Sequence, residues 1–273
     1  MSVFAARSSG YGRGRLPTQS MDARPKISLI TITKNEEELI GQCLNSAWFC
    51  EEKIVVDSFS TDRTVEIARE CGARVFQHEF TNYVMQKQMA LDYATGDWVL
   101  LMDADEQATH DLGAEILRET GSAWPAEGYR IQRMLYHLGG YDLRGIEPDS
   151  PVRLFRRERG HIGGRDPHDK VVVDGKVTKL RGRILHFSYR DITDHVATMN
   201  RFSSRAAAEH EPTRFTPLKM VVNPVARFFV FYIVRRGFLD GIRGFYAAAT
   251  SAFYVFLKYA KLYERRLKKQ RPR

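Results

Sequence analysis

Residues 96–106 read Gly-Asp-Trp-Val-Leu-Leu-Met-Asp-Ala-Asp-Glu. Five apolar residues, Trp98 to Met102, run without a polar break into Asp103 and Asp105. A strand apolar at every position must be covered on both faces, as strands of parallel α/β sheets are. The flanking sequence keeps the same rhythm. Upstream, Ile27–Thr33 (ISLITIT) predicts a first strand, and Glu36–Ser46 has helical spacing at Leu39, Ile40, Cys43 and Leu44. Lys53–Val56 predicts a second strand. Ser60, Thr61 and Asp62 offer capping oxygens for a helix through Cys71, stopped by Gly72. Arg74–Gln77 predicts a third strand and Asn82–Ala94 a third helix before the strand at Trp98. Strand–helix alternation of this kind predicts an α/β fold.

Beyond Gly121 the rhythm changes. Tyr129–Tyr136, Val152–Phe155, Lys170–Val173 and Ile184–Phe187 are strand-like, and Val173-Asp174-Gly175-Lys176-Val177 reads as a hairpin turn. Asp191–Glu209 reads as a helix, after which Pro212 and Pro217 punctuate the chain. No internal repeat is visible.

Composition narrows the class. The 273 residues carry 42 Lys and Arg against 33 Asp and Glu, with 43% hydrophobic residues, a folded profile rather than a disordered one. Cys43, Cys50 and Cys71 form no close metal pattern and cannot all pair, which argues against a disulfide-built secreted scaffold. The apolar run Val3–Ala6 is too short for a secretory signal, so residues 1–24 are expected to be a disordered leader. Gly10, Gly12 and Gly14 follow no strand, which excludes a dinucleotide-binding loop. The excess charge is local: residues 219–273 hold 13 basic and 2 acidic residues, so they carry +11 of a net +9.

In open α/β sheets ligands bind beyond the carboxyl ends of the strands. Three polar clusters stand there: Thr33-Lys34-Asn35-Glu36, Asp57, and Asp103-Ala104-Asp105-Glu106. In an extended segment Asp103 and Asp105 project to one side and can converge on a hard divalent cation such as Mg²⁺ or Mn²⁺. A calcium loop is excluded, because the acidic ladder stops at Gln107 and the turn glycine is absent. Further on, alternation puts Arg153 and Phe155 on one side of a strand, where the guanidinium fork suits phosphate. Arg156 and Arg157 read as a solvated edge.

The stretches ISLITITKNEE, VVDSFSTDRT and GDWVLLMDADE resemble the nucleotide-sugar-binding half of family-2 glycosyltransferases, which have the GT-A fold. SPVRLFRR, DPHDKV, ILHFSY and GFLDGIRGFYAAATSAFYVFLKYAKL are similar to the bacterial lipopolysaccharide-core β-1,4-glucosyltransferase subgroup. The resemblance implies a GT-A domain over residues 25–211. It makes Thr33, Asn35 and Glu36 nucleotide-contacting, Asp57 the acid that meets the donor base, and Asp103 with Asp105 the metal and diphosphate motif. Lys87 would reach a phosphate. Asp169 falls where the subgroup has the glutamate of a His-Glu pair and is the favoured general base, with Glu147 and Asp149 as rivals. His186 would complete the metal shell, and His168 would meet substrate. The implied reaction is inverting transfer of a hexose from a nucleotide-sugar, with Mn²⁺ or Mg²⁺ as cofactor.

Residues 212–273 read as a helical, basic appendage. Leu218–Val234 is apolar, but Asn223, Pro224 and Arg227 interrupt it short of a spanning helix. Phe238, Ile242, Phe245, Ala249, Phe253, Phe256 and Ala260 then recur every three or four residues, with Arg243, Lys258, Lys261 and Arg265 opposite. That pattern predicts a helix lying in an anionic membrane interface, and so an enzyme on the cytoplasmic face of the inner membrane with a glycolipid acceptor. Packing on the catalytic domain is the competing reading. Nucleic acid is not expected as a partner, because no nucleic-acid motif accompanies the basic stretch. Two rival functions stand beside the main one: a polyprenyl-phosphate sugar transferase, and a non-catalytic adaptor.

Overall fold

The structure is a computed structural model that describes residues 24–270 except 124, 137, 142, 145, 147 and 167. The expected leader, Arg24 apart, and the rival base Glu147 therefore lie outside the described residues. The first half alternates as the sequence predicts: β1 (Ile27–Thr33), α1 (Ile40–Ser46), β2 (Glu52–Asp57), α2 (Thr64–Glu70), β3 (Arg74–Gln77), α3 (Tyr83–Asp92) and β4 (Trp98–Leu101). There follow β5 (Glu106–Ala108), α4 (His110–Thr120), β6 (Gly128–Leu135), β7 (Val152–Arg156), β8 (Gly160–Arg165), β9 (His168–Val173) and β10 (Val177–His186). Helices α5 (Ile192–Ala208), α6 (Thr216–Phe229) and α7 (Gly241–Gln270) end the chain.

Eight strands form one sheet in the order β3-β2-β1-β4-β7-β6-β10-β5. The first four are mutually parallel, β7 is antiparallel to both neighbours, and β6 and β10 are parallel. Alternation along the strands feeds two cores. Leu29, Val55, Trp98 and Leu100 meet Cys43 and Leu44 of α1 and Leu112 and Ile116 of α4. Ile30, Ile54, Val56, Val99 and Leu101 meet Ala90 and Leu91 of α3 on the other side, with Ile162 and Val171 of the β8–β9 ribbon. Strand order reverses between β1 and β4, so their carboxyl ends form the crevice where such sheets bind ligands.

Several boundaries differ from the sequence expectation. Helix α1 begins at Ile40 rather than Glu36, because the Glu36 carbonyl accepts from the N–H groups of Leu39 and Ile40 and closes a turn first. Helix α2 begins at Thr64, where the Asp62 carboxylate accepts from the Thr64 N–H and hydroxyl; Gly72 stops it at φ +79°. The Val173–Val177 turn is not a hairpin. Strand β9 pairs with β8, whereas β10 runs parallel to β6, so the turn joins strands of different sheets.

The appendage differs most. Pro224 does not end the apolar run: α6 passes into a π-helical turn, Val230–Val234, and packs along α7. Thr216–Val234 is thus 19 residues with a mean hydropathy of 1.4, long and apolar enough to cross a membrane by length and composition alone. Its outer side is uncovered, with Val225 68% exposed, and across the following turn Ile242 of α7 is 79% exposed. Three of the cations expected to face an anionic surface instead bind protein. Lys261 Nζ donates to the Asn200 carbonyl (2.6 Å) and to Ser203 Oγ (2.8 Å), and Arg265 donates to the Ala207 and His210 carbonyls. Lys261 thus meets the middle of α5, and Arg265 its C-terminal end, where orphan carbonyls attract cations. Arg243 Nη2 donates to the Tyr141 carbonyl at 2.8 Å.

Candidate active site

The carboxyl ends of β1 and β4 open on a cleft of about 390 Å³ lined by Thr33, Glu36, Ser58, Tyr83, Asp103 and Asp105. Thr33 lines the cleft, is itself buried, and its hydroxyl has no hydrogen-bond partner. Asn35 sits at φ +57°, a conformation asparagine tolerates. It ties the loops after β1 and β2 together: its N–H donates to Ser60 Oγ (2.8 Å) and its Oδ1 accepts the Thr61 N–H (2.8 Å). Glu36 is pushed up to about 7, first by burial and then by the charge of Asp105.

Asp57 lies beside Thr33 in the sheet, at the back of the cleft. It is fully buried, accepts from the Ser60 N–H and hydroxyl and from Gln77 Nε2 (3.1 Å), and so closes the turn that holds Phe59 at φ +57°. Ser58 rather than Asp57 lines the cleft.

Asp103 and Asp105 do not converge as an extended segment would require. Residues 103–106 form a tight turn in which the Asp103 carbonyl accepts the Glu106 N–H and the Asp103 N–H donates to Glu106 Oε2. The two carboxylates therefore meet different partners. Asp103 Oδ1 lies 2.9 Å from Lys87 Nζ and Oδ2 lies 2.9 Å from Arg153 Nη2. Burial alone would raise Asp103, but the Arg153 and Lys87 charges overcome it and hold the carboxyl well below its usual range. Lys87 also reaches Asp169 Oδ2 at 2.9 Å, so one buried ammonium bridges two carboxylates.

Beneath them Glu106, which the sequence reading left without a role, is fully buried and pairs through Oε1 with Arg153 (2.9 Å) and Arg133 (3.2 Å). Arg133 in turn grips Asp149 with two bonds, at 3.1 and 2.7 Å. Arg133 was also missed; the Arg-x-x-Arg run on β6 gave no sign of which guanidinium turns inward.

Asp105 meets His186 instead, Oδ2 to Nε2 at 3.1 Å across 81 residues of chain. The register is responsible: β10 pairs with β5 so that His186 stands opposite Glu106, and the Phe187 N–H donates to the Asp105 carbonyl. Ser188 Oγ lies within 3.0 Å of both ring nitrogens. A carboxylate and an imidazole side by side fit Mn²⁺, which accepts nitrogen as well as oxygen ligands. Among the described residues no three His, Cys, Asp or Glu side chains are grouped to hold a metal.

On the far side of His186 a second cavity, of about 350 Å³, is lined by Arg133, Asp149, His186, Ser188 and Tyr189. His168 starts β9 beside Asp169, and neither residue borders the two cavities.

Residues 28–120 match the model of Glycosyl transferase family 2. The chain is 30% identical over 259 residues to the lipopolysaccharide core biosynthesis glycosyltransferase LpsC of Rhizobium meliloti (strain 1021), covering 90% of this chain and 95% of that one. It is 33% identical over 258 residues to an uncharacterized glycosyltransferase of Rickettsia typhi, covering 89% and 88%. The mannosyltransferase PcManGT of Pyrobaculum calidifontis, solved with GDP-Man and Mn²⁺, aligns over 92% of this chain and 89% of its own at 16% identity and a TM-score of 0.48. The two curated relatives span nearly the whole sequence, and the parallel β3-β2-β1-β4 half is the GT-A arrangement their family implies: the chain is an α/β enzyme that belongs to glycosyltransferase family 2.

Proposed function

We propose that the protein is an inverting, divalent-cation-dependent hexosyltransferase that uses a nucleotide-sugar, UDP-linked, to glycosylate a membrane glycolipid of the lipopolysaccharide-core kind. One observation carries the reading. Asp105 lines the 390 Å³ cleft, His186 lines the 350 Å³ cavity, and the two side chains touch at 3.1 Å. Two substrate-sized spaces meeting at one N,O pair are what a single displacement between a donor and an acceptor requires. The similarity to a lipopolysaccharide core biosynthesis glycosyltransferase over 90% of the chain supports the acceptor class.

In this reading the donor lies in the cleft against the unpaired Thr33 hydroxyl, with Glu36 beside it and Asn35 and Asp57 shaping the loops around it. Asp105 and His186 would hold the cation, which supplies Lewis-acid stabilisation to the leaving diphosphate. Lys87 and Arg153 set the charge of the cleft floor and hold Asp103 ionised. The base is better assigned to Asp149 than to Asp169. Asp149 borders the acceptor-side cavity with a half-exposed carboxylate, whereas Asp169 is nearly buried under Lys87. A carboxylate within reach of the acceptor hydroxyl takes its proton as the sugar–phosphate bond breaks.

The exposed apolar side of α6 supports attachment to the cytoplasmic face of the inner membrane, with the helix lying on the surface because its other side packs on α7. Thermal-shift titration with UDP and GDP, with and without Mn²⁺, tests the donor half. UDP should stabilise the protein only with Mn²⁺, and Asp105→Asn should remove that dependence. Equal stabilisation without the cation would sink the metal assignment.

A further inference from the structure

A third cavity, of about 340 Å³, lies between the end of β6 and the C-terminal helices. Met199 and Phe202 of α5, Phe231 of the π-helical turn, and Ala247 and Thr250 of α7 contribute to its wall. Several of its polar neighbours are engaged elsewhere. Thr250 Oγ1 donates to the Tyr246 carbonyl (2.8 Å), Arg227 Nε donates to Ser251 Oγ (2.7 Å), and His195 Nδ1 lies 3.0 Å from the Tyr246 hydroxyl. What remains to meet an occupant is largely apolar, with a thioether among it that adapts to shape.

This space adjoins the acceptor-side cavity. Leu135, Ile146 and Tyr189 line both, which sets the residues His186, Ser188 and Asp149 on one side of them and Met199, Phe202 and Phe231 on the other. Arg227 of α6 and the buried Phe231 belong to its wall, on the same stretch of chain as the exposed Phe229, Val230 and Val234. Polar at the site and apolar behind it, the pair of cavities has the polarity profile of an amphiphile, and the helix that lends Arg227 to the wall carries exposed apolar residues on its other side. Ala247, buried, keeps the α7 wall small where a larger side chain would fill it.

The geometry points to a binding site for one apolar chain of the glycolipid acceptor in this cavity, with the sugar headgroup in the polar cavity beside His186. The assignment rests on the acceptor reading above and adds a substrate element to it. The protein would select acceptors by the chain as well as by the hydroxyl, and would draw that chain from the membrane along α6.

The test uses the full chain and n-alkyl β-glucosides from ethyl to dodecyl, all kept at monomeric concentrations, with affinity read by calorimetry in the presence of UDP and Mn²⁺. Affinity should rise about fourfold per methylene over the first several carbons and then level off as the cavity fills. Ala247→Phe should flatten the series by occupying the space. Phe202→Asp, at a half-exposed position that should tolerate substitution, should weaken the dodecyl compound at least tenfold more than the ethyl one. A flat wild-type series, no binding at any length, or a slope unaltered in both variants would overturn the assignment. UDP binding, followed in every sample, reports folding and the donor site. Retained UDP binding with a flat series removes the chain site alone, whereas loss of UDP binding in the wild type removes the reading beneath it.

Discussion

Glu106 Oε1 and Arg153 Nη2 lie 2.9 Å apart with both side chains buried, and this pair underlies the charge arrangement of the site. Glu106 holds Arg153 and Arg133 from below, Arg153 fixes one oxygen of Asp103, and Arg133 fixes Asp149. Glu106→Ala would leave two guanidinium groups short of a buried partner, a change that costs about 3–5 kcal/mol. Urea unfolding should show that loss, with a smaller one for Glu106→Gln. A difference below about 1 kcal/mol would mean the pair is not structural.

The two aspartates proposed and displaced as base separate kinetically. Asp149→Asn should lower kcat by about 10²–10⁴-fold while donor affinity stays near wild type. Asp169→Asn frees Lys87 from one of its two carboxylates, so its main effect should be on the donor KM. The reverse pattern would return the base to Asp169.

Glu36 gives a pH signature. Burial and Asp105 push it up to about 7 from an ordinary 4.5, so the folded protein holds this proton more tightly than the unfolded chain. The resulting stabilisation is complete below pH 4.5 and is lost as pH rises through 7. In EDTA, Glu36→Gln should therefore gain stability relative to wild type between pH 5 and pH 8. An unchanged difference at the two pH values would show that Glu36 titrates normally.

Much of this arrangement was legible in the sequence, and the failures have physical causes. Strands β1 and β4 are short, covered runs of apolar or β-branched residues whose pattern leaves little choice, and Asn82 and Asp191 cap α3 and α5 through their side chains. Helix α4 had a readable signal, Thr109 as cap and Leu112, Ile116 and Leu117 at helical spacing, hidden by the attention the acidic turn before it draws. Strand β8 had none, because Gly160, Gly163 and Gly164 carry no β preference. Asp105 and His186 were each singled out, but their contact depends on the β5–β10 register, which no local pattern encodes. Asp57 stands at a strand end as the sequence implies, and its burial comes from Ser60 and Gln77 folding back over it, contacts that no local pattern encodes.

Membrane attachment is predicted to rest on α6. Val225→Glu with Phe229→Glu changes two exposed residues, so folding should be little affected. Co-sedimentation with anionic vesicles should fall about tenfold or more, since each buried valine or phenylalanine contributes roughly 1.5–3 kcal/mol. Undiminished sedimentation would place the contact elsewhere on the protein.

Lys261, Arg265 and Arg243 hold backbone carbonyls of the catalytic body, so a formal charge of +11 over residues 219–273 overstates what an anionic surface would meet. Attachment through an apolar helix face is also indifferent to ionic strength in a way that a polybasic tail is not. A membrane-held form of this protein would remain on the bilayer through a high-salt wash and leave it with detergent. Two of its cations, Lys261 and Arg265, would then serve to join α7 to α5 rather than to meet a bilayer.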